Sequence, residues 1–118
     1  MTFLTIPLPR NLRQRPKLEI LQQISPENIV VLEGEGNYTK VVFNDGPHLI
    51  FSKTLNRMQA VLLPTLFIRI SKSIVVNRQY IQYLSRIDKA CVLTNGSRYS
   101  IARRRYRQVK GSYLIQNQ

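Results

Sequence analysis

Tryptophan is absent from this chain, cysteine and histidine occur once each, and 6 acidic residues stand against 18 basic ones. Each shortage removes a class of chemistry. The lone Cys91 excludes an internal disulfide and a thiolate zinc site, and the lone His48 excludes a cluster of imidazole ligands. No apolar run approaches the roughly 20 residues that cross a bilayer. The amino terminus lacks the basic-then-apolar order of a secretory signal, so the expected location is the cytoplasm, with no membrane as partner. The scarcity of acid leaves a formal net charge of +12, which points to a polyanionic partner. Yet 43% of the 118 residues are hydrophobic, unlike a disordered basic tail, so the charge belongs to a folded body of one domain.

The first quarter of the chain differs from the rest. Thr2 to Pro7 reads as an extended strand, and Pro7, Pro9 and Pro16 punctuate a connection holding Arg10, Arg13, Arg15 and Lys17. Residues 1–23 are therefore set apart, as a strand and basic connection within the domain or as an arm, from a main body over 24–118. Leu18 to Gln22 reads as a short strand and Ser25-Pro26-Glu27-Asn28 as a turn. Strand-like runs follow at Ile29 to Leu32, Asn37 to Phe43, His48 to Phe51, Phe67 to Ser71, Ile74 to Val76, Tyr80 to Ile87, Ala90 to Leu93 and Arg98 to Ile101. Phe67, Ile74, Val75, Val76 and Ile81 are expected in the core. Asn44-Asp45-Gly46 is a turn signal, and Asn95-Gly96 predicts a type I′ hairpin. The spacing of Leu55, Met58, Gln59 and Leu62 predicts one short helix, capped by Thr54 and stopped by Pro64. From Arg103 onward Tyr106, Val109 and Tyr113 share one face of a second helix, which Gly111 ends or weakens. The fold class is mainly β, with short strands in small packed sheets and one or two short helices.

Little in the chain suits catalysis. Glu33 and Glu35 stand two apart in Glu-Gly-Glu-Gly-Asn, but no third ligand accompanies them; carboxylates that fix local geometry or pair with a nearby cation are the plainer reading. Gly34 and Gly36 lack the further glycine and the Lys-Ser/Thr of a phosphate loop. His48 reads as a partly exposed strand residue and Cys91 as a small core hydrophobe. Neither enzymatic activity nor a cofactor is expected.

The basic residues carry more information. Arg98, Arg103, Arg104, Arg105, Arg107 and Lys110 run without an acid among them. A charge run is often only a solvated face, yet five of these six are Arg, whose planar fork holds phosphate or a guanine edge bidentately. A second group interleaves Arg69, Lys72 and Arg78 with Ser71, Ser73 and Asn77, and a third comprises Asn37, Tyr38, Thr39 and Lys40. Short polar side chains beside cations suit phosphates and base edges.

In order, these segments resemble the LytTR family of bacterial DNA-binding domains. The match runs from about Ile24 to Leu114. It comprises Ile29-Val30-Val31-Leu32-Glu33 with Gly36-Asn37-Tyr38-Thr39, Asp45-Gly46, Lys53-Thr54-Leu55, the stretch Phe67 to Asn77, Tyr80-Ile81, Asn95-Gly96 and Ala102-Arg103-Arg104-Arg105-Tyr106. The resemblance implies about ten strands and transcription regulation through duplex DNA, contacted by three regions. These correspond here to Asn37 and Tyr38; to Arg69, Ser71 and Lys72; and to Arg103 and Arg104, the same groups that residue type singles out. The resemblance places Lys72 and Arg104 where base edges are read, while Arg69, Arg103 and Lys40 suit phosphates. It also suggests repeated half-sites, with a possible dimer on the DNA. Two departures stand out. Ala102 replaces the Ser common before the Arg pair, removing a cap or phosphate contact. And only some two dozen residues precede the match, which leaves no room for a phosphoacceptor domain, so a stand-alone binding unit is expected.

Competing readings have weaker support. RNA binding or a ribosome-associated role is compatible with a basic β-domain whose Tyr38, Tyr80, Tyr83, Tyr99, Tyr106 and Tyr113 stack on bases, but most of these fall in apolar patterns that favour core packing. An anionic membrane or acidic protein suits the charge alone, and no long basic amphipathic helix supports it.

Overall fold

The computed structural model describes residues 17–116, with side chains through Leu114; the proposed strand at Thr2 to Pro7 and the basic connection after it lie outside these residues. Among these residues eight strands, against the about ten that the resemblance implies, and two α-helices follow in the order β1 (Ile29–Glu35), β2 (Tyr38–Phe43), β3 (His48–Phe51), α1 (Leu55–Gln59), β4 (Phe67–Arg69), β5 (Ile74–Asn77), β6 (Ile81–Ser85), β7 (Ala90–Leu93), β8 (Arg98–Ser100) and α2 (Arg103–Gln116). The fold is mainly β, as the patterning implies. One antiparallel sheet has the order β3-β2-β1-β5-β4 and a smaller one the order β6-β7-β8.

The unbroken apolar run at the start of β1 follows from its place at the centre of the larger sheet, where both faces are covered. Ile29 and Leu32 join Val41, Leu49, Phe51, Phe67 and Val75 on the face that meets Leu55 and Met58 of α1. Val30 and Val31 join Ile68, Ile70 and Val76 on the opposite face, against Ile81, Cys91 and Leu93 of the smaller sheet and Val109 of α2. Two consecutive residues share a face because the register with β2 shifts between Ile29 and Val31, the signature of a bulge. Of the expected core residues, Phe67, Val75, Val76 and Ile81 are buried. Ile74 is only half-buried, because it sits opposite Glu33 at the sheet's end, where β5 has no further cover.

Four local expectations are corrected. Leu18–Gln23 is a 3-10 helix, not a strand. Its three-residue period puts Leu21 and Ile24 on one side, where both are buried in the first core cluster. Tyr80 to Ile87 is shorter than expected as a strand: Tyr80 closes a 3-10 turn and β6 ends at Ser85, leaving Ile87 exposed on the following turn. The β7–β8 connection is not type I′, which needs positive φ at both central residues; only Gly96 has it (+90°), and Leu93 N–H donates to Ser97 O while Gly96 N–H donates to Leu93 O. This is a three-residue loop with glycine in the left-handed position. Asn44-Asp45-Gly46 repeats it, with Phe43 and Pro47 in the flanking places. Finally, of the two alternatives for Gly111, ending the helix is corrected, because α2 continues to Gln116.

Candidate nucleic-acid interface

The three polar segments converge at one end of the larger sheet. β1 and β2 form a tight hairpin in which Glu35 pairs with Tyr38, so Gly36 and Asn37 make the turn, with φ of +57° at Gly36. Positive φ at the first central residue alone is the type II′ pattern, which needs glycine there. Asn37 and Tyr38 are exposed at the tip. Strand alternation turns Thr39 inward, fully buried, where its hydroxyl donates to Lys53 O at 2.9 Å and fixes the approach to α1. Thr54 then caps α1 by accepting from Arg57 N–H at 3.3 Å, as its position before the helical spacing predicts. Gly34 is needed for a different reason from Gly36: a Cβ there would lie 2.8 Å from Leu55 Cβ.

The β4–β5 loop carries the second segment. Ser73 O accepts from Gly34 N–H at 2.7 Å, tying the loop to the end of β1. Ile70 O accepts from Ala102 N–H at 2.9 Å, tying the same loop to the residue that opens α2. Between these anchors Lys72 and Ser73 are exposed and Ser71 is half-buried. Asn37, Tyr38, Ser71, Lys72, Arg103 and Arg104 thus belong to segments joined through backbone hydrogen bonds into one rim. An open groove of about 650 Å³ lies beside the β1–β2 hairpin, lined by Glu33, Tyr38, Lys40, Ile74 and Tyr99 among others.

Charge is distributed unevenly over the rim. Arg103 and Arg104 are exposed and form no ion pair among the described residues, whereas Lys40 Nζ lies 3.8 Å from a Glu33 carboxylate oxygen. The other Glu33 oxygen accepts from the Tyr99 hydroxyl at 2.6 Å. Burial first, and then this hydrogen bond, push the Tyr99 phenol above its usual range. Glu33 therefore organises its neighbours, the plainer of the two readings of that carboxylate pair. No cluster of His, Cys, Asp or Glu suited to a metal occurs among the described residues. No described helix is long and apolar enough to cross a membrane.

Some residues singled out by type make internal hydrogen bonds. Asn77 is fully buried, donating to Ile29 O at 2.8 Å and Pro26 O at 3.2 Å while its carbonyl oxygen accepts from Gln79 N–H. Arg78 is buried too and donates to Thr65 O at 3.0 Å and Ser112 O at 2.8 Å, so it fastens the later turns of α2. Arg69 is half-buried and holds the carbonyls of Ser71 and Lys72. Tyr80, Tyr99, Tyr106 and Tyr113 pack against the second core cluster, which leaves Tyr38 and Tyr83 as the exposed aromatic surfaces.

The model of the LytTr DNA-binding domain family matches residues 20–113. The chain belongs to the LytTR family. It is therefore a DNA-binding domain of transcription regulation. No curated protein matches it. A solved LytTr DNA-binding domain from Bacillus cereus is similar, with a TM-score of 0.66 and 19% identity over 77% of this chain and 84% of that one. That likeness agrees with the LytTR fold described above.

Proposed function

We propose that this LytTR domain binds duplex DNA sequence-specifically, without catalysis, through the rim built by the β1–β2 hairpin, the β4–β5 loop and the start of α2. The observation that carries the reading is the pair of backbone hydrogen bonds, Gly34 N–H to Ser73 O and Ala102 N–H to Ile70 O, which join three separate polar segments. Lys72 and Arg104 reach base edges, Arg103 and Lys40 meet phosphates, and Asn37, Tyr38 and Ser71 add polar and aromatic contacts. The start of α2 supports an anionic partner. Arg103, Arg104 and Arg105 crowd its first turn with no acid, against the positive end of the helix dipole, and Ala102 provides no side-chain acceptor. Phosphate placed there relieves both costs. The DNA reading also places the protein in the cytoplasm.

Two copies on repeated half-sites, on one face of the duplex, require centres separated by whole turns of about 10.5 bp. Selection of bound fragments from a random duplex pool, with RNA as competitor at near-physiological salt, tests the reading. An enriched motif that RNA does not displace is expected. Tight binding with no enriched motif would falsify specificity, and insertion of half a turn between half-sites abolishes cooperative occupancy if two copies bind together.

A further inference from the structure

Arg69 is the one cation of the rim whose guanidinium is committed to the protein. Its Nε–H donates to Ser71 O at 2.6 Å, Nη1 donates to Asn56 Oδ1 at 2.9 Å and Gln59 Oε1 at 2.8 Å, and Nη2 donates to Lys72 O. A guanidinium has five N–H donors, so these four bonds leave a single N–H, too few for the bidentate grip that makes Arg a phosphate ligand.

We infer that Arg69 is a positioning residue: it clamps the Ser71–Lys72 backbone to α1 and thereby aims the Lys72 side chain at DNA, without touching DNA itself. The inference rests on the DNA-binding reading above and replaces the phosphate contact that residue type suggests for Arg69. The β4–β5 loop leaves the Ser71 and Lys72 carbonyls without strand partners, and the planar fork of Arg69 serves both at once. Asn56 and Gln59, three positions apart on one side of α1, present two further acceptors, so the short helix acts as a fixed platform. A Lys ammonium, with three donors around a point charge, cannot span the same four acceptors. The loop's other bonds, Ser71 N–H to Ile74 O and Gly34 N–H to Ser73 O, complete a backbone that is ordered before any ligand arrives. Ordering in advance removes an entropy cost from binding. Burial, and then the neighbouring Arg105, hold the Arg69 pKa below its usual range, in keeping with an inward-turned group next to the first turn of α2.

The test compares the full chain with Arg69→Met, Arg69→Lys and the uncharged double change Asn56→Ala/Gln59→Ala. Each is titrated with the selected duplex and a scrambled duplex at several salt concentrations, and backbone amide exchange at Lys72 and Ser73 is followed without DNA. Arg69→Met is expected to lose about tenfold in preference for the selected duplex, the scale of one base contact, with its salt slope unchanged. Arg69→Lys fails to rescue it. Asn56→Ala/Gln59→Ala lowers the preference in the same sense, and both it and Arg69→Met speed amide exchange in the loop. The inference is overturned if Arg69→Met weakens both duplexes equally and reduces the salt slope by about one, the mark of a phosphate contact, while Asn56→Ala/Gln59→Ala changes nothing. If Arg69→Met does not fold, Asn56→Ala/Gln59→Ala decides alone. A wild-type chain that shows no preference overturns the DNA-binding reading and this inference with it, whereas a discriminating wild type with a phosphate-like Arg69 overturns the inference only.

Discussion

The strand pair β4–β5 and the start of α2 look alike as strings of basic and small polar residues, yet they use their arginines in opposite ways. Arg69 and Arg78 turn inward onto the oxygens of Ser71, Lys72, Asn56, Gln59, Thr65 and Ser112. Arg103 and Arg104 turn outward and form no ion pair among the described residues. The difference lies in what the backbone leaves over. The loop before β4, at Thr65, and the loop between β4 and β5, at Ser71 and Lys72, present carbonyls outside the strand ladder, and the nearby guanidiniums of Arg78 and Arg69 are captured by them, Arg78 reaching the Ser112 carbonyl of α2 as well. At the start of α2 the unsatisfied groups are N–H donors, which repel a cation and leave it for an anion from outside. An arginine thus turns inward where loop carbonyls lie within its reach and outward where a helix start presents donors.

The largest effect that this contrast predicts is on stability. Replacing Arg78 by Met removes its bonds to Thr65 O and Ser112 O, stranding the Thr65 carbonyl, and should cost on the order of 1–3 kcal/mol, while Arg104→Ala should stay within about 0.5 kcal/mol of the wild type. Urea unfolding of the two variants measures the difference, and similar losses would erase the distinction between inward and outward cations. Next comes discrimination. Lys72→Ala and Arg104→Ala should each remove about 1–3 kcal/mol of preference between selected and scrambled duplexes. Arg103→Ala should weaken both duplexes alike and reduce the salt slope by about 0.9. Titrations at several salt concentrations check this, and equal loss on both duplexes for Lys72→Ala would make Lys72 a phosphate contact.

The same division between inward and outward groups predicts a pH dependence. Burial pushes the Cys91 thiol up from 9.0 to about 12, and the Tyr99 phenol is raised above 10.0 by burial and then by Glu33. Both hold their protons in the native state at pH values where the unfolded chain loses them. The unfolded state then binds fewer protons, so stability is full below about pH 9 and falls as pH rises from there. Melting temperatures recorded from pH 7 to 11 should show this decline, and Cys91→Ala should delay its onset. A wild-type profile that stays level to pH 11 would contradict the burial of both groups. The smallest predicted effect is at Gly111, where an added Cβ meets nothing within 4 Å and φ is not positive. Gly111→Ala should stabilise α2 by about 0.5–1 kcal/mol with DNA binding unchanged, as read by thermal melting.

Much of this fold is decided within short stretches of chain. The β-branched and aromatic runs become strands, Thr54 caps α1 through Arg57 N–H, and Tyr106, Val109 and Tyr113 form one face of α2 against the core. Residue type and spacing suffice there because the partners lie within a turn or a hairpin, and the same holds for the grouping of polar residues at Asn37 to Lys40, Arg69 to Ser73 and Arg103 to Arg105. Other features depend on partners that no local pattern names. Arg78 is internal because Ser112, 34 positions on, offers it a carbonyl. Asn77 is internal because Ile29 lies 48 positions back. Leu18–Gln23 is helical because Leu21 and Ile24 find the same core face. The union of the three polar segments likewise awaits the meeting of Gly34 with Ser73 and Ala102 with Ile70. Composition along the chain determines which side chains can donate, but which acceptors remain unsatisfied is settled only when distant strands and helices pack, and that decides which cations turn outward.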